Sequence, residues 1–94
     1  MKQINVIKER ELYNKYGRII EELFRRIRNE GGQGCKVTMK KDGTVFKIYR
    51  LGYSSYENLA RDSFGIAIQN DEGVWEQVET YSCMALAAEY LAEY

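Results

Sequence analysis

The sequence predicts an α+β domain: a long N-terminal helix packed on a roughly four-stranded antiparallel sheet of two hairpins, with a short connecting helix and a C-terminal helix. Three observations carry that expectation. An apolar stripe of helical period runs through the first third of the chain, and an Asp-Gly pair separates two runs of alternating polarity. An alanine-rich segment follows a second pair of strand-like runs. Ninety-four residues suit a single domain over 1–94, one with a thin core and marginal stability.

From about Lys8 to Asn29, Tyr13, Tyr16, Ile20, Leu23 and Ile27 recur at steps of three and four, and the opposite stripe is polar. Glu11–Lys15, Glu21–Arg25 and Glu22–Arg26 are spaced i,i+4 with the acid first, the favourable order. Gly17 is the weak point, costing about 1 kcal/mol against alanine. Gly31-Gly32-Gln33-Gly34 ends the helix, because glycine takes the left-handed conformation of a helix end. Residues 1–7 read equally as a short strand or a frayed lead-in.

A hairpin follows. Cys35, Val37 and Met39 alternate with Lys36, Thr38 and Lys40, Asp42-Gly43 turns the chain, and Thr44 to Leu51 returns with Phe46 and Ile48 on one face. Ser54-x-x-Glu57 is a capping-box pattern for a short helix over 55–61. Ser63 to Gln69 is a strand with Phe64, Ile66 and Ile68 on one face and Gly65 and Ala67 on the other. Asn70 to Gly73 leads into a last strand over 74–79, whose inward face is ambiguous because Trp75 competes with Val74 and Val78. From Ser82, an expected N-cap, the alanine-rich helix begins. It is a candidate to fill the space left by Gly65 and Ala67, as is an external partner.

Much chemistry is excluded by composition. Without histidine the chain lacks the commonest general base and metal ligand. Cys35 and Cys83 are too far apart in sequence for a zinc motif and too few for a disulfide framework. Cys35 alternates with apolar neighbours and reads as a small core residue. No phosphate-binding, nucleophile-elbow or calcium-loop pattern occurs. Gly31-x-x-Gly34 has the spacing of a KH-domain clamp but leads into a strand, so helix-ending glycines explain it better. The expectation is a non-enzymatic protein with no cofactor and no metal. No apolar run is long enough to span a membrane, and the N-terminus has no secretory signature, so the expected location is the cytoplasm.

What composition offers instead is a charge split. Net charge is zero, yet Lys and Arg outnumber Asp and Glu thirteen to six through Arg50, and carboxylates lead eight to one from Leu51 onward. Asymmetry of this kind points to charged partners. The candidate contact residues fall into three groups. Tyr49, Arg50, Tyr53 and Tyr56 surround a Tyr/Ser/Gly loop of the composition binding loops use. Glu72, Glu76, Glu79, Glu89 and Glu93 supply an acidic face. Glu89 and Glu93 are a like-charged i,i+4 pair at a helix C-terminus, which the macrodipole disfavours, so a nearby cation is expected. The third group is Lys36, Lys40 and Lys47, which with Thr38 and Tyr49 would form a basic outward hairpin face suited to single-stranded nucleic acid.

These groups define three functional expectations. The leading one is a protein-binding module, an inhibitor or adaptor, with the acidic face set against a basic groove in place of phosphate. In size, lack of motifs and polar-aromatic surface the chain resembles the small single-domain proteins of phages and mobile elements, anti-CRISPR and other anti-defence inhibitors among them. That resemblance is one of style and rests on no motif. The second expectation is a nucleic-acid-binding accessory protein using the lysine face. The third is a homo-oligomer pairing basic and acidic halves head to tail. All three share one prediction: with no metal-ligand cluster and both thiols expected free, neither a chelator nor a reductant will move the melting temperature.

Overall fold

The structure, a computed structural model, describes residues 1–51 and 56–94, with side chains at 1–51 and 59–94. The elements run in the expected order: α1 (Val6–Asn29), β1 (Gly34–Thr38), β2 (Val45–Leu51), a 3-10 turn (Tyr56–Arg61), β3 (Ser63–Gln69), β4 (Trp75–Tyr81) and α2 (Met84–Glu93). The four strands form one antiparallel sheet in sequential order, β1-β2-β3-β4. This is the α+β architecture the sequence predicts.

Asn5 caps α1, its side chain accepting from the Lys8 N–H at 2.8 Å. The helix bends at Tyr16, which leaves helical geometry (φ −118°, ψ 21°) beside Gly17. At its far end Gly31 (φ 101°) and Gly32 (φ 87°) turn left-handed, and the Gly32 N–H returns to the Ile27 carbonyl at 2.8 Å. Side-chain pairing along α1 differs from the expected i,i+4 series. Arg25 bonds Glu22 at i,i+3, which leaves Arg26 to reach across and donate to the Lys36 carbonyl of β1. Residues 1–5 are a strand-like lead-in: the Lys2 N–H donates to Thr80 O at 2.9 Å and Lys2 O accepts from Ser82 N at 2.8 Å. For α2 the N-cap is Cys83, one residue past the expected Ser82.

Both helices lie on one face of the sheet. Leu12, Ile20, Leu23, Phe24 and Ile27 of α1 share a single buried cluster with Met84, Ala85, Ala87, Ala88 and Leu91 of α2 and with Cys35, Phe46, Ile48, Phe64 and Ile66 of the strands. Each fully buried Ile or Phe in that layer contributes about 1.5–3 kcal/mol. The alanines of α2 let it pass close to α1, so this helix completes the first face. It does not fill the space over Gly65 and Ala67. On the far side of the sheet the Tyr49 ring lies across Gly65, where any Cβ would run into it.

A polar interaction lies in the interior as well. Arg50, expected on a contact loop, forms an ion pair with Asp62 in which both side chains are over nine-tenths buried. Its Nη1 also donates to Gly32 O at 3.2 Å, and its backbone N–H to Gln33 O at 2.8 Å. Burial by these partners removes Arg50 from the set of contact residues. Removing one member of a buried pair strands the other charge, at a cost of about 3–5 kcal/mol. Asp62→Ala should lower the stability read from urea unfolding by that amount. Arg50→Met combined with Asp62→Leu should recover most of the loss.

Candidate functional site

The open face of the sheet is built by strand alternation. In the paired register Lys36 stands opposite Lys47, Lys47 opposite Ala67, and Ala67 opposite Gln77. Gln69 stands opposite Trp75, so the chain's single tryptophan belongs to this face, as do Tyr49 and Gly65. That resolves the ambiguity of the last strand. A bulge at Val78, where the register shifts between Ile66 and Ala67, lets Gln77 and Trp75 face outward while Tyr81 packs in the core. Val74 and Val78, the apolar rivals of Trp75, are exposed.

The Trp75 ring is flanked by both lysines, with Lys36 Nζ 5.7 Å and Lys47 Nζ 6.0 Å from its centroid. Tyr49 lies beside it, its hydroxyl donating to Gln77 Oε1 at 2.8 Å, and a shallow hollow of about 250 Å³ separates Tyr49 and Trp75 over Ala67. No Asp or Glu stands at an outward position of the paired register. Glu30 borders a second hollow shared with Lys36, Lys47 and Tyr49. Like charges directly opposite one another destabilise a strand pair. Lys36 and Lys47 therefore sit in a geometry that the ring relieves in part and an anion would relieve further.

The other candidates are distributed as follows. Lys40 leaves the lysine face, because β1 ends at Thr38 and Lys40 falls in the hairpin loop, closed by Met39 N to Thr44 O and Gly43 N to Met39 O, both 2.8 Å. Tyr53 lies outside the described residues, as does the side chain of Tyr56. Three of the five acidic residues accept hydrogen bonds within the chain. Glu76 accepts from Asn70 at 2.9 Å, and half-buried Glu79 accepts from the Thr80 N–H at 2.9 Å. Glu93 accepts from the Tyr16 hydroxyl at 3.1 Å. Lys15 beside it is held above the ordinary lysine value by its contact with Tyr16 and, secondarily, by Glu93 and Glu89. Within the chain, Glu93 is thus met by the Tyr16 hydroxyl of α1. Glu72 is exposed in the β3–β4 turn.

Cys35 and Cys83 are both free and buried, and burial pushes the Cys35 thiol up to about 11 and Cys83 upward as well. Among the described residues, no group of three or more His, Cys, Asp or Glu could hold a metal ion. No helix there is long and apolar enough to cross a membrane. No protein-family model, no curated protein and no solved structure matches this chain.

The thiol shifts contribute to the pH dependence of stability on the alkaline side. A folded-state pKa above the ordinary 9.0 means that the folded chain keeps a proton which the unfolded chain releases. Stability from Cys35 is therefore complete below about pH 9 and is lost as pH rises toward about 11. Tyr81, raised by burial from 10.0 to about 12, acts one step higher. Urea midpoints should fall from pH 9 upward, and Cys35→Val should reduce the fall between pH 9 and 10, leaving the share due to Cys83 and the later fall due to Tyr13 and Tyr81.

Proposed function

We propose that this protein binds single-stranded nucleic acid on the open face of its sheet. The observation that carries this reading is the Lys36–Trp75–Lys47 cluster, with Tyr49 alongside, on a face whose outward strand positions hold no carboxylate. Aromatic side chains on a flat surface accept bases of any identity by stacking, and flanking cations track the phosphates. The sheet supplies the rigidity: Trp75 and Tyr49 stand on β4 and β2 with β3 between them, and Tyr49 is fixed at its tip by Gln77 and beneath by the bare Gly65. Base-specific readout has no donor array here, so the binding should be tolerant of sequence.

Support for the acidic phosphate-mimic mechanism is weaker, since Glu76, Glu79 and Glu93 all accept hydrogen bonds within the chain. Tyr49 changes roles between the two readings, from a loop contact to part of the stacking platform.

Because Trp75 is the chain's only tryptophan, its fluorescence reports on the site directly. Titration with a short oligothymidine should quench and saturate the emission. Affinity should fall with salt at a slope of roughly −1.4 on logarithmic axes, for two lysine–phosphate contacts on a single strand. Trp75→Ala, followed by anisotropy of a labelled oligonucleotide, should cost about 1–3 kcal/mol of binding. Lys36→Glu with Lys47→Glu should abolish binding while the fold persists. Unquenched emission at saturating oligonucleotide would overturn the reading.

A further inference from the structure

A second surface lies where α1 diverges from the edge strand β1. There Ile19, Leu23, Val37, Met39 and Leu91 line an open groove of about 730 Å³. Ile19 is one of the exposed large apolar side chains of the molecule, at 37%. The groove's charged residues are Arg18, Arg26, Lys40 and Lys41 against one carboxylate, Glu22, which is already bonded to Arg25 at 2.5 Å. The strand along its side, β1, pairs with no other strand on its outer edge. Since Gln33 O, Met39 N and Met39 O bond toward β2 and its hairpin loop, alternation turns the backbone groups of Lys36 and Thr38 away from β2. Arg26 of α1 occupies the carbonyl of Lys36, and the N–H of Thr38 opens beside the groove.

We infer that this groove binds an extended acidic peptide segment of a protein partner, laid along β1 with apolar side chains on Ile19, Leu23 and Met39 and carboxylates toward Arg18 and Lys40. Strand addition to a free edge takes affinity from main-chain hydrogen bonds and specificity from pockets for alternate side chains. The charge balance of the rim selects an acidic segment. Nucleic acid fits poorly here, because the lining offers no aromatic ring for a base. A second copy laid edge to edge in antiparallel register would bring Lys36 toward its own counterpart. Lys40, which the hairpin loop removes from the sheet face, has its role at this rim. The site does not depend on the oligonucleotide reading, since it shares neither Trp75 nor Lys47 with the platform.

The probe is a fluorescein-labelled heptapeptide alternating leucine and glutamate, followed by anisotropy with the full chain. Saturable binding is expected, with at least tenfold weaker binding when lysine replaces glutamate or glycine replaces leucine. Arg18→Glu with Lys40→Glu should weaken the peptide tenfold or more and leave quenching of Trp75 by oligothymidine unchanged. Ile19→Asp, on an exposed position, should weaken it comparably. In backbone amide spectra the peptide should shift Thr38 and Met39 and spare Trp75. Equal binding of the lysine peptide, wild-type affinity in the Arg18/Lys40 variant, shifts confined to other surfaces, or self-association that blocks the groove would each overturn the proposal.

Discussion

Arg50 sits at the end of β2 with the glycine turn after α1 on one side and the start of β3 on the other. Its guanidinium meets the Asp62 carboxylate and the Gly32 carbonyl, and its backbone N–H meets Gln33 O. Those contacts decide where α1 ends and where β3 begins relative to the same strand. A hydrophobic layer alone would not fix that relation, because apolar contacts are non-directional. A buried charge pair tolerates only narrow geometry, and a misplaced partner leaves a charge without compensation. Once α1, β2 and β3 are held at this corner, the first helix can lie only over one face. The other face is then left for Tyr49, Trp75 and the lysines.

Much of this plan was legible in the sequence, and the exceptions have physical causes. The α1 stripe, the Asp-Gly hairpin and the Phe64/Ile66/Ile68 alternation are local signals, each repeated often enough to survive tertiary context. Arg50 misled because a Tyr-rich neighbourhood resembles a contact loop, and its partner Asp62 lies twelve residues away across a connection. Trp75 was ambiguous because the bulge at Val78 breaks the period-two pattern. A usable signal was present. Gln69 shares parity with Gly65 and Ala67, so counting back across the Asn70–Gly73 turn puts Trp75 on their face. Lys40 was misplaced by a hairpin loop longer than the two residues an Asp-Gly turn suggests, a difference that rests on the Met39–Thr44 pairing.

The charge split is less a division into two poles than sequence arithmetic suggests. Part of it is answered inside the molecule, where the Tyr16 hydroxyl meets Glu93 and where Arg50 meets Asp62. Part of it remains outward, in the lysine pair on the sheet and in the cations beside β1. Those two basic regions have different linings, one aromatic and flat, the other aliphatic and grooved. Similar charge on unlike surfaces selects unlike ligands, because the apolar lining decides what each cation is paired with.

The bulge in β4 also reaches beyond the placement of Trp75. The two sheet edges are unlike: β1 ends in an open side, while β4 has its ladder interrupted at Val78 and the Lys2 segment bonded to its Tyr81 end. A chain arriving at β4 meets a ladder interrupted at Val78 and, at Thr80 O and Ser82 N, groups already bonded to Lys2. Indefinite stacking of sheets requires two compatible edges per molecule. This molecule offers one, so a sheet that grows at all grows by a single strand and then stops.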